Sequence, residues 1–291
     1  MRFHRNISFA VIDALMAIFN EGEYADKVVA RALKLDKRWG SSDRKFVAET
    51  IYDIVRWKRL YAEIAEIKKE PFDRDGIWRM FAVWATLKGH TLPDWKYFEG
   101  TPVRKIKGKF DELSKDRKFK ESIPDWMDEI GVKELGEAVW SKEIKAQNEP
   151  AKVILRTNTI NTTKEALKLE LLKLDIHTQA IEDYPEALVL DERANVFMTD
   201  AFKNGMFEVQ DASSQMVAHM LDIQPGMRVV DTCAGAGGKT LHMACLMQNK
   251  GQIIAMDLYE SKLKQLKIRA KRNGIHNIEY RVIDTTKVIK K

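Results

Sequence analysis

The sequence predicts a multidomain protein. An all-helical N-terminal domain spans residues 1–148, a small α+β module spans 149–205, and the first half of a doubly wound parallel α/β sheet spans 206–291. Three observations carry this division. Apolar residues recur at steps of three and four up to about residue 148, and the period changes to two from about 151. From 206 onward, apolar strands alternate with helices around a glycine-rich loop. With 291 residues, 45% hydrophobic and 32% charged, the chain has the apolar material for two or three cores and is neither disordered nor fibrous.

Ser8 is the expected cap of a first helix, whose apolar positions Ile12, Leu15, Met16 and Phe19 share one face. A second helix runs through Val28, Val29, Ala32 and Leu33. Ser41-Ser42 opens a long amphipathic helix with Phe46, Val47, Thr50, Ile51, Ile54, Val55 and Tyr61 on one side. Its other side carries Arg44, Lys45, Arg56, Lys58 and Arg59. Ile77, Trp78, Phe81, Ala82 and Ala85 define a further helix, and Pro93 with the lysine-rich stretch Arg104–Lys120 reads as a long connection. Pro124-Asp125 starts a helix carrying Trp126, Ile130, Leu135, Val139, Trp140 and Ile144. All seven tryptophans precede position 141. Their helical spacing makes most of them core anchors, with stacking on bases as the sharper alternative.

The net charge of +6 is unevenly placed. Residues 1–125 hold 26 Lys/Arg against 20 Asp/Glu, and residues 126–291 hold 23 of each. A basic module joined to a neutral one points to a polyanion partner, RNA above all, although a solvated helical surface accounts for the charge as well. No apolar run approaches the roughly 18–20 residues that span a bilayer. The start, Met1-Arg-Phe-His-Arg, imitates a signal peptide, but Asp13 interrupts the apolar stretch and no small-x-small cleavage site follows. The chain therefore reads as cytoplasmic, with no membrane partner. Its two cysteines, Cys233 and Cys245, cannot form a disulfide framework, and two thiols alone do not build a structural zinc site, so no metal is expected.

In the middle module, Lys152–Thr157 reads as a strand, Thr163–Leu174 as a helix, and Ile176–Ile181 and Ala187–Asp191 as two strands. Next come a short strand at Phe207-Glu-Val-Gln-Asp and a helix over Ala212–Leu221. Arg228-Val-Val-Asp231 is an apolar strand ending on an acid. A glycine-rich loop, a helix (Lys239–Met247), a strand (Gln252–Asp257), a helix (Glu260–Asn273) and a strand (Ile278–Asp284) complete the pattern.

The loop Asp231-Thr-Cys-Ala-Gly-Ala-Gly-Gly-Lys-Thr240 sits where a strand gives way to a helix. Glycines there let a ligand approach the backbone and leave helix N–H groups free to donate. It is not a Walker A loop, because Cys233 stands where that pattern requires its first glycine. Asp257 ends the next strand, where an acid grips ribose hydroxyls, and Asp284 ends the third, within reach of an adenine amino group. Each acid alone is more often a cap or a surface residue. Three acids ending three successive strands around a glycine loop point to an adenosine-bearing cofactor.

The run Phe207-Glu-Val-Gln-Asp-Ala-Ser-Ser-Gln215, then Pro225-Gly226, then Asp231–Thr240, resembles the Sun/RsmB family of RNA 5-methylcytosine methyltransferases. Where that family usually has Cys-Ala-Ala-Pro-Gly-Gly-Lys-Thr, this chain has Gly235 and Ala236 in place of Ala-Pro. The helix Arg44–Arg56 is more loosely similar to the NusB-like RNA-binding domain that RsmB-type enzymes carry. The resemblance implies a NusB-like domain at residues 1–148 and a Rossmann-like, class I methyltransferase sheet. It also implies S-adenosylmethionine as cofactor and RNA, small-subunit ribosomal RNA in particular, as partner. It lays the cofactor's methionine moiety over Cys233, Ala234, Gly235, Ala236, Gly237, Gly238 and Lys239. Asp257 goes to the ribose and Asp284 to the adenine, while Gln210, Asp211 and Ser213 pack beside the pocket. Lys239 steadies the loop or the cofactor carboxylate rather than acting as a base.

The resemblance also implies an absence. Family members add a cysteine thiolate to carbon 6 of cytosine and use a second cysteine for product release; both lie beyond the third strand. Cys233 belongs to the cofactor loop and Cys245 to the following helix, so no residue here is assigned a catalytic role. The expectation is a chain truncated before its nucleophile and inactive alone, with Arg228–Asp231 presenting an open edge where a fourth strand would pair. The alternative is a non-catalytic RNA-binding protein with a vestigial cofactor loop.

Overall fold

The computed structural model describes residues 3–67 and 69–283. The chain separates into two compact units, Met1–Pro150 and Ala151–Lys291.

The first unit is helical: α1 (Arg5–Asn20), α2 (Ala25–Ala32), α3 (Ser41–Arg56), α4 (Lys58–Ile64), α5 (Arg74–Leu87), α6 (Val103–Leu113), α7 (Arg117–Lys120), α8 (Asp125–Leu135) and α9 (Glu137–Asn148). Ser8 lies inside α1 instead of capping it, and His4 holds the N-cap position. Ile7, Val11 and Leu15 form one buried stripe, so starting a turn earlier gains apolar burial. Helix α5 is apolar around its girth, with Ile77, Trp78, Met80, Phe81, Val83, Trp84 and Ala85 all buried, which places it at the centre of the core. Asp73 caps it by accepting from the Gly76 N–H at 2.6 Å.

Three features differ from the sequence expectation. The amphipathic helix opened by Ser41 breaks at Trp57 (φ −98°, ψ 23°) into α3 and α4. The lysine-rich stretch expected as a connection folds as α6 and α7. Ile106 there is buried, and Phe110, Leu113 and Phe119 pack on the core, so the lysines are the outer face of an amphipathic helix. The helix after Pro124 is divided at Gly136, whose φ of +76° ends α8 and turns the chain into α9. The two halves pack closely because Gly131 has no side chain: a Cβ there would stand 2.3 Å from the Trp140 ring. Gly131→Ala is expected to cost about 1–3 kcal/mol, seen as a lower urea midpoint at unchanged slope.

The tryptophans divide as residue spacing indicated. Trp39, Trp78, Trp84 and Trp140 are buried and Trp57 and Trp95 pack on the core, while Trp126 is 63% exposed. Much of the basic face of α3 and α4 is engaged internally. Arg44 donates to the Trp39 and Leu33 carbonyls, Arg59 to the Ile123 carbonyl and Asp125, and Lys58 pairs with Glu70. Lys45, 3.8 Å from Glu49, and Arg56, which donates to the Asn148 carbonyl at 3.3 Å, are nonetheless exposed.

The second unit holds two sheets. β1 (Ile154–Thr157), β2 (Thr178–Ala180), β3 (Ala187–Leu190) and β4 (Phe207–Val209) form an antiparallel sheet in the order β2-β3-β1-β4, with α10 (Lys164–Leu172) and α11 (Asp200–Lys203) between them. Phe207–Val209, read from the sequence as leading into the parallel sheet, instead fills the free edge of β1, pairing Leu155 with Val209 and Thr157 with Phe207. Phe207 is fully buried in the same core as Leu155, Leu167 and Leu188, and that burial draws the strand to this sheet.

After α12 (Ala212–Met220), β5 (Arg228–Asp231), β6 (Gln252–Asp257) and β7 (Ile278–Val282) form a parallel sheet in the order β5-β6-β7, joined by α13 (Gly238–Leu246) and α14 (Glu260–Arg272). Leu241, Ala244, Ile253, Ala255, Leu263 and Leu266 form its core. Among the described residues β5 pairs on one side only, and its Val230 is 54% exposed. No helix of the described residues is long and apolar enough to cross a membrane.

Candidate cofactor site

Parallel strands end side by side, and their carboxyl ends are where open α/β sheets bind ligands. β5 and β6 pair in register with Asp231 opposite Ala255, so the loop after β5 lies next to Asp257 at the end of β6. The loop is tied down on three sides. The Ala234 N–H donates to the Met256 carbonyl at 2.9 Å, the Gly235 N–H to Asp257 Oδ2 at 2.8 Å, and the Thr240 hydroxyl to Asp231 Oδ2 at 2.7 Å. Asp257 Oδ1 also accepts from the Tyr259 N–H at 2.9 Å.

Gly237 begins α13 with a left-handed backbone, φ +89°, and a Cβ there would stand 1.9 Å from Leu266 Cδ1, inside the core. Only glycine fits. At Gly235 and Gly238 the same construction meets nothing within 4 Å, so a ligand can approach the backbone there. Gly237 offers no side-chain cap, which leaves the first N–H groups of α13 as donors toward that space. Lys239 is exposed on the first turn and makes no ion pair among the described residues. Cys233 is exposed, with its N–H donating to Asp231 Oδ1 at 3.3 Å. Cys245 is buried in α13 beside Asn158, and burial pushes its thiol well above the ordinary range, so it stays protonated.

The structure thus brings Cys233, Ala234, Gly235, Ala236, Gly237, Gly238, Lys239 and Asp257 together around one loop. Asp284 lies outside the described residues. Asp211 caps α12, accepting from the Ser213 N–H at 2.9 Å and the Ser213 hydroxyl at 2.5 Å, and the hydroxyl holds its carboxyl below the ordinary value. Gln210 bonds the Ser214 carbonyl. Both residues shape the start of a helix.

The loop also has an outer support that no sequence motif marks. Arg269, on α14, donates from Nη1 to the Ala236 carbonyl at 2.7 Å and from Nη2 to Glu208 Oε2 at 2.8 Å. Glu208, on β4 and 3% exposed, also accepts from Arg272 and Asn273. Burial alone would raise its carboxyl; Arg269, with Asn273 and Arg272, outweighs burial and holds it below the ordinary value. The sole local signal was an acid flanked by Phe207 and Val209 in a short apolar strand.

Two family models match this chain. Residues 218–291 match the model of the 16S rRNA methyltransferase RsmB/F, and residues 123–197 match that of the ferredoxin-like domain of RsmF/B-like methyltransferases. Both matches are to RsmB/F-type methyltransferases, the family that the glycine loop resembles. Among its relatives, a probable ribosomal RNA small subunit methyltransferase B of Synechocystis is 27% identical over 94% of this chain and 68% of its own length. The tRNA (cytosine(72)-C(5))-methyltransferase NSUN6 of Mus musculus is 41% identical over 33% of this chain. This chain spans 21% of the length of that second relative. A solved methyltransferase homolog from Pyrococcus horikoshii superposes with a TM-score of 0.53 at 27% identity, covering 57% of this chain and 54% of that one.

Proposed function

We propose that this RsmB/Sun-type chain binds S-adenosylmethionine in the loop 231–240 and serves the methylation of carbon 5 of cytosine in RNA, with small-subunit ribosomal RNA as the substrate class. The observation that carries the reading is the loop itself: a glycine backbone open at Gly235 and Gly238, uncapped helix donors behind it, and Asp257 beside it. When bound, S-adenosylmethionine supplies a methyl group on a sulfonium centre. The chain's own residues hold and orient it. Each Asp257 oxygen accepts one backbone N–H and keeps a second lone pair for a ribose hydroxyl. The donors of α13 suit the carboxylate of the methionine moiety. Asp284 remains our proposal for the adenine.

Neither cysteine is proposed as a nucleophile. The Cys245 thiol is buried and protonated, and Cys233 sits in the cofactor loop. We read β5–β7 as half of a Rossmann-like sheet and the helical unit as a NusB-like RNA-binding domain. The exposed Lys45, Arg56 and Lys107 are its candidate phosphate contacts. Charge reversal at Lys45 and Lys107 is expected to weaken RNA binding across sequences. The salt dependence should flatten by about one logarithmic unit of slope for each phosphate no longer neutralised.

The cofactor reading is tested by equilibrium binding of S-adenosylmethionine to the whole chain, with S-adenosylhomocysteine and ATP as competitors. Displacement by the first and not the second supports it. RNA binding without any cofactor binding at millimolar concentration would favour the non-catalytic reading.

A further inference from the structure

Two histidines and a glutamate converge in the second unit away from the loop. Glu186 stands in the turn before β3, His219 on α12 and His242 on α13, and one ligand atom of each lies within 4.8 Å of the others. His219 Nε2 is 2.8 Å and His242 Nε2 3.6 Å from the same Glu186 oxygen, Oε2. His242 is 1% exposed, and neither of its ring nitrogens has a hydrogen-bond partner among the described residues. A buried imidazole without partners is costly, and here it lies beside a carboxylate and a second imidazole.

We infer that Glu186, His219 and His242 form a binding site for a divalent transition-metal ion of the zinc class. Two imidazole nitrogens and one carboxylate oxygen are the donor set of an open zinc site, with water in the fourth position. At usual bond lengths, donors around a tetrahedral zinc lie about 3.4 Å apart, so the cluster closes on an ion with shifts of under about 1 Å. His219, its side chain 27% exposed, provides the way in from solvent. Arg156 is fully buried close by, and its charge limits the affinity for a dication. Cys245, Glu208 and Arg269 are the other ionisable groups near that guanidinium. The ion would clamp the turn before β3 to α12 and α13, the helix that carries the cofactor loop at its start. The two cysteines offer no metal site, and these ligands, 33 and 23 residues apart, share no motif spacing that would mark one in the sequence.

The test is titration of the chelator-stripped full chain with Zn2+ by calorimetry, with Co2+ as a spectroscopic substitute and thermal melts alongside. The expected result is one ion per chain, intense tetrahedral cobalt bands without a thiolate charge-transfer band, and a melting temperature that rises with Zn2+. His219→Gln and Glu186→Gln should each weaken binding about 100-fold or more, and the exposed-site control His177→Gln should not. His219→Gln, at the accessible ligand, carries the test if Glu186→Gln fails to fold. Absence of saturable binding, unchanged affinity in His219→Gln, or a thiolate band would overturn the assignment.

Discussion

Gly237→Asp is expected to abolish S-adenosylmethionine binding and to destabilise the chain. Two independent costs act at this position. The left-handed backbone, φ +89°, disfavours any Cβ, and that Cβ would stand 1.9 Å from Leu266 Cδ1. Leu266 is fully buried in the core under the parallel sheet and has no room to retreat. Backbone strain and overpacking together amount to about 2–5 kcal/mol. The carboxylate adds a negative charge where the helix donors serve an anion. Gly238→Ala is the control for stability: its Cβ meets nothing within 4 Å, so denaturation should change by under about 1 kcal/mol. A Gly238→Ala chain that melts normally yet loses cofactor affinity would put the ligand against that face of the loop. A Gly237→Asp chain with wild-type stability would contradict the packing described for α13 and α14.

Glu208→Ala should be the most damaging single change in the second unit outside the apolar cores. The carboxylate is the shared acceptor of Arg269, Arg272 and Asn273, and it is 3% exposed. Removing it leaves two part-buried guanidiniums without their carboxylate, at a cost of about 2–4 kcal/mol. It also frees Arg269, which holds the Ala236 carbonyl, so cofactor affinity should fall with stability. The pH dependence gives a second readout. The folded-state carboxyl lies below its ordinary value of 4.5, so its contribution is present above pH 4.5 and is lost as pH falls through the lower folded value. Urea melts of wild type and Glu208→Gln should therefore differ most near pH 7 and converge in acid. A difference that stays constant with pH would show that the ion pairs do not carry this stability.

The parts legible in the sequence were those whose cause is local. Arg228–Asp231 and Gln252–Asp257 announce themselves as apolar runs ending on acids, and both strands have the expected bounds. The glycines of 235–238 are near neighbours in the chain, so the loop could be drawn before the sheet was known. Misreadings came where local character and tertiary role part. Lysines at 104–120 masked the stripe of Ile106, Phe110 and Leu113. Ser8 has the chemistry of a cap, but burial of Ile7 extends α1 past it. Phe207–Val209 has no local mark of which sheet it joins; the free edge of β1 decides. Glu208 meets Arg269 across 61 residues, and no spacing rule connects positions so far apart.

Asp257 is the residue on which the cofactor reading turns, and calorimetric titration of the whole chain with S-adenosylmethionine tests it most directly. The wild-type chain should bind one equivalent. Asp257→Asn, which loses a charged acceptor and leaves either the Gly235 or the Tyr259 N–H without a partner, should bind about 10–100-fold more weakly. Equal affinity in the two proteins, or no heat from the wild type at millimolar cofactor, would contradict the assignment of this loop to the cofactor.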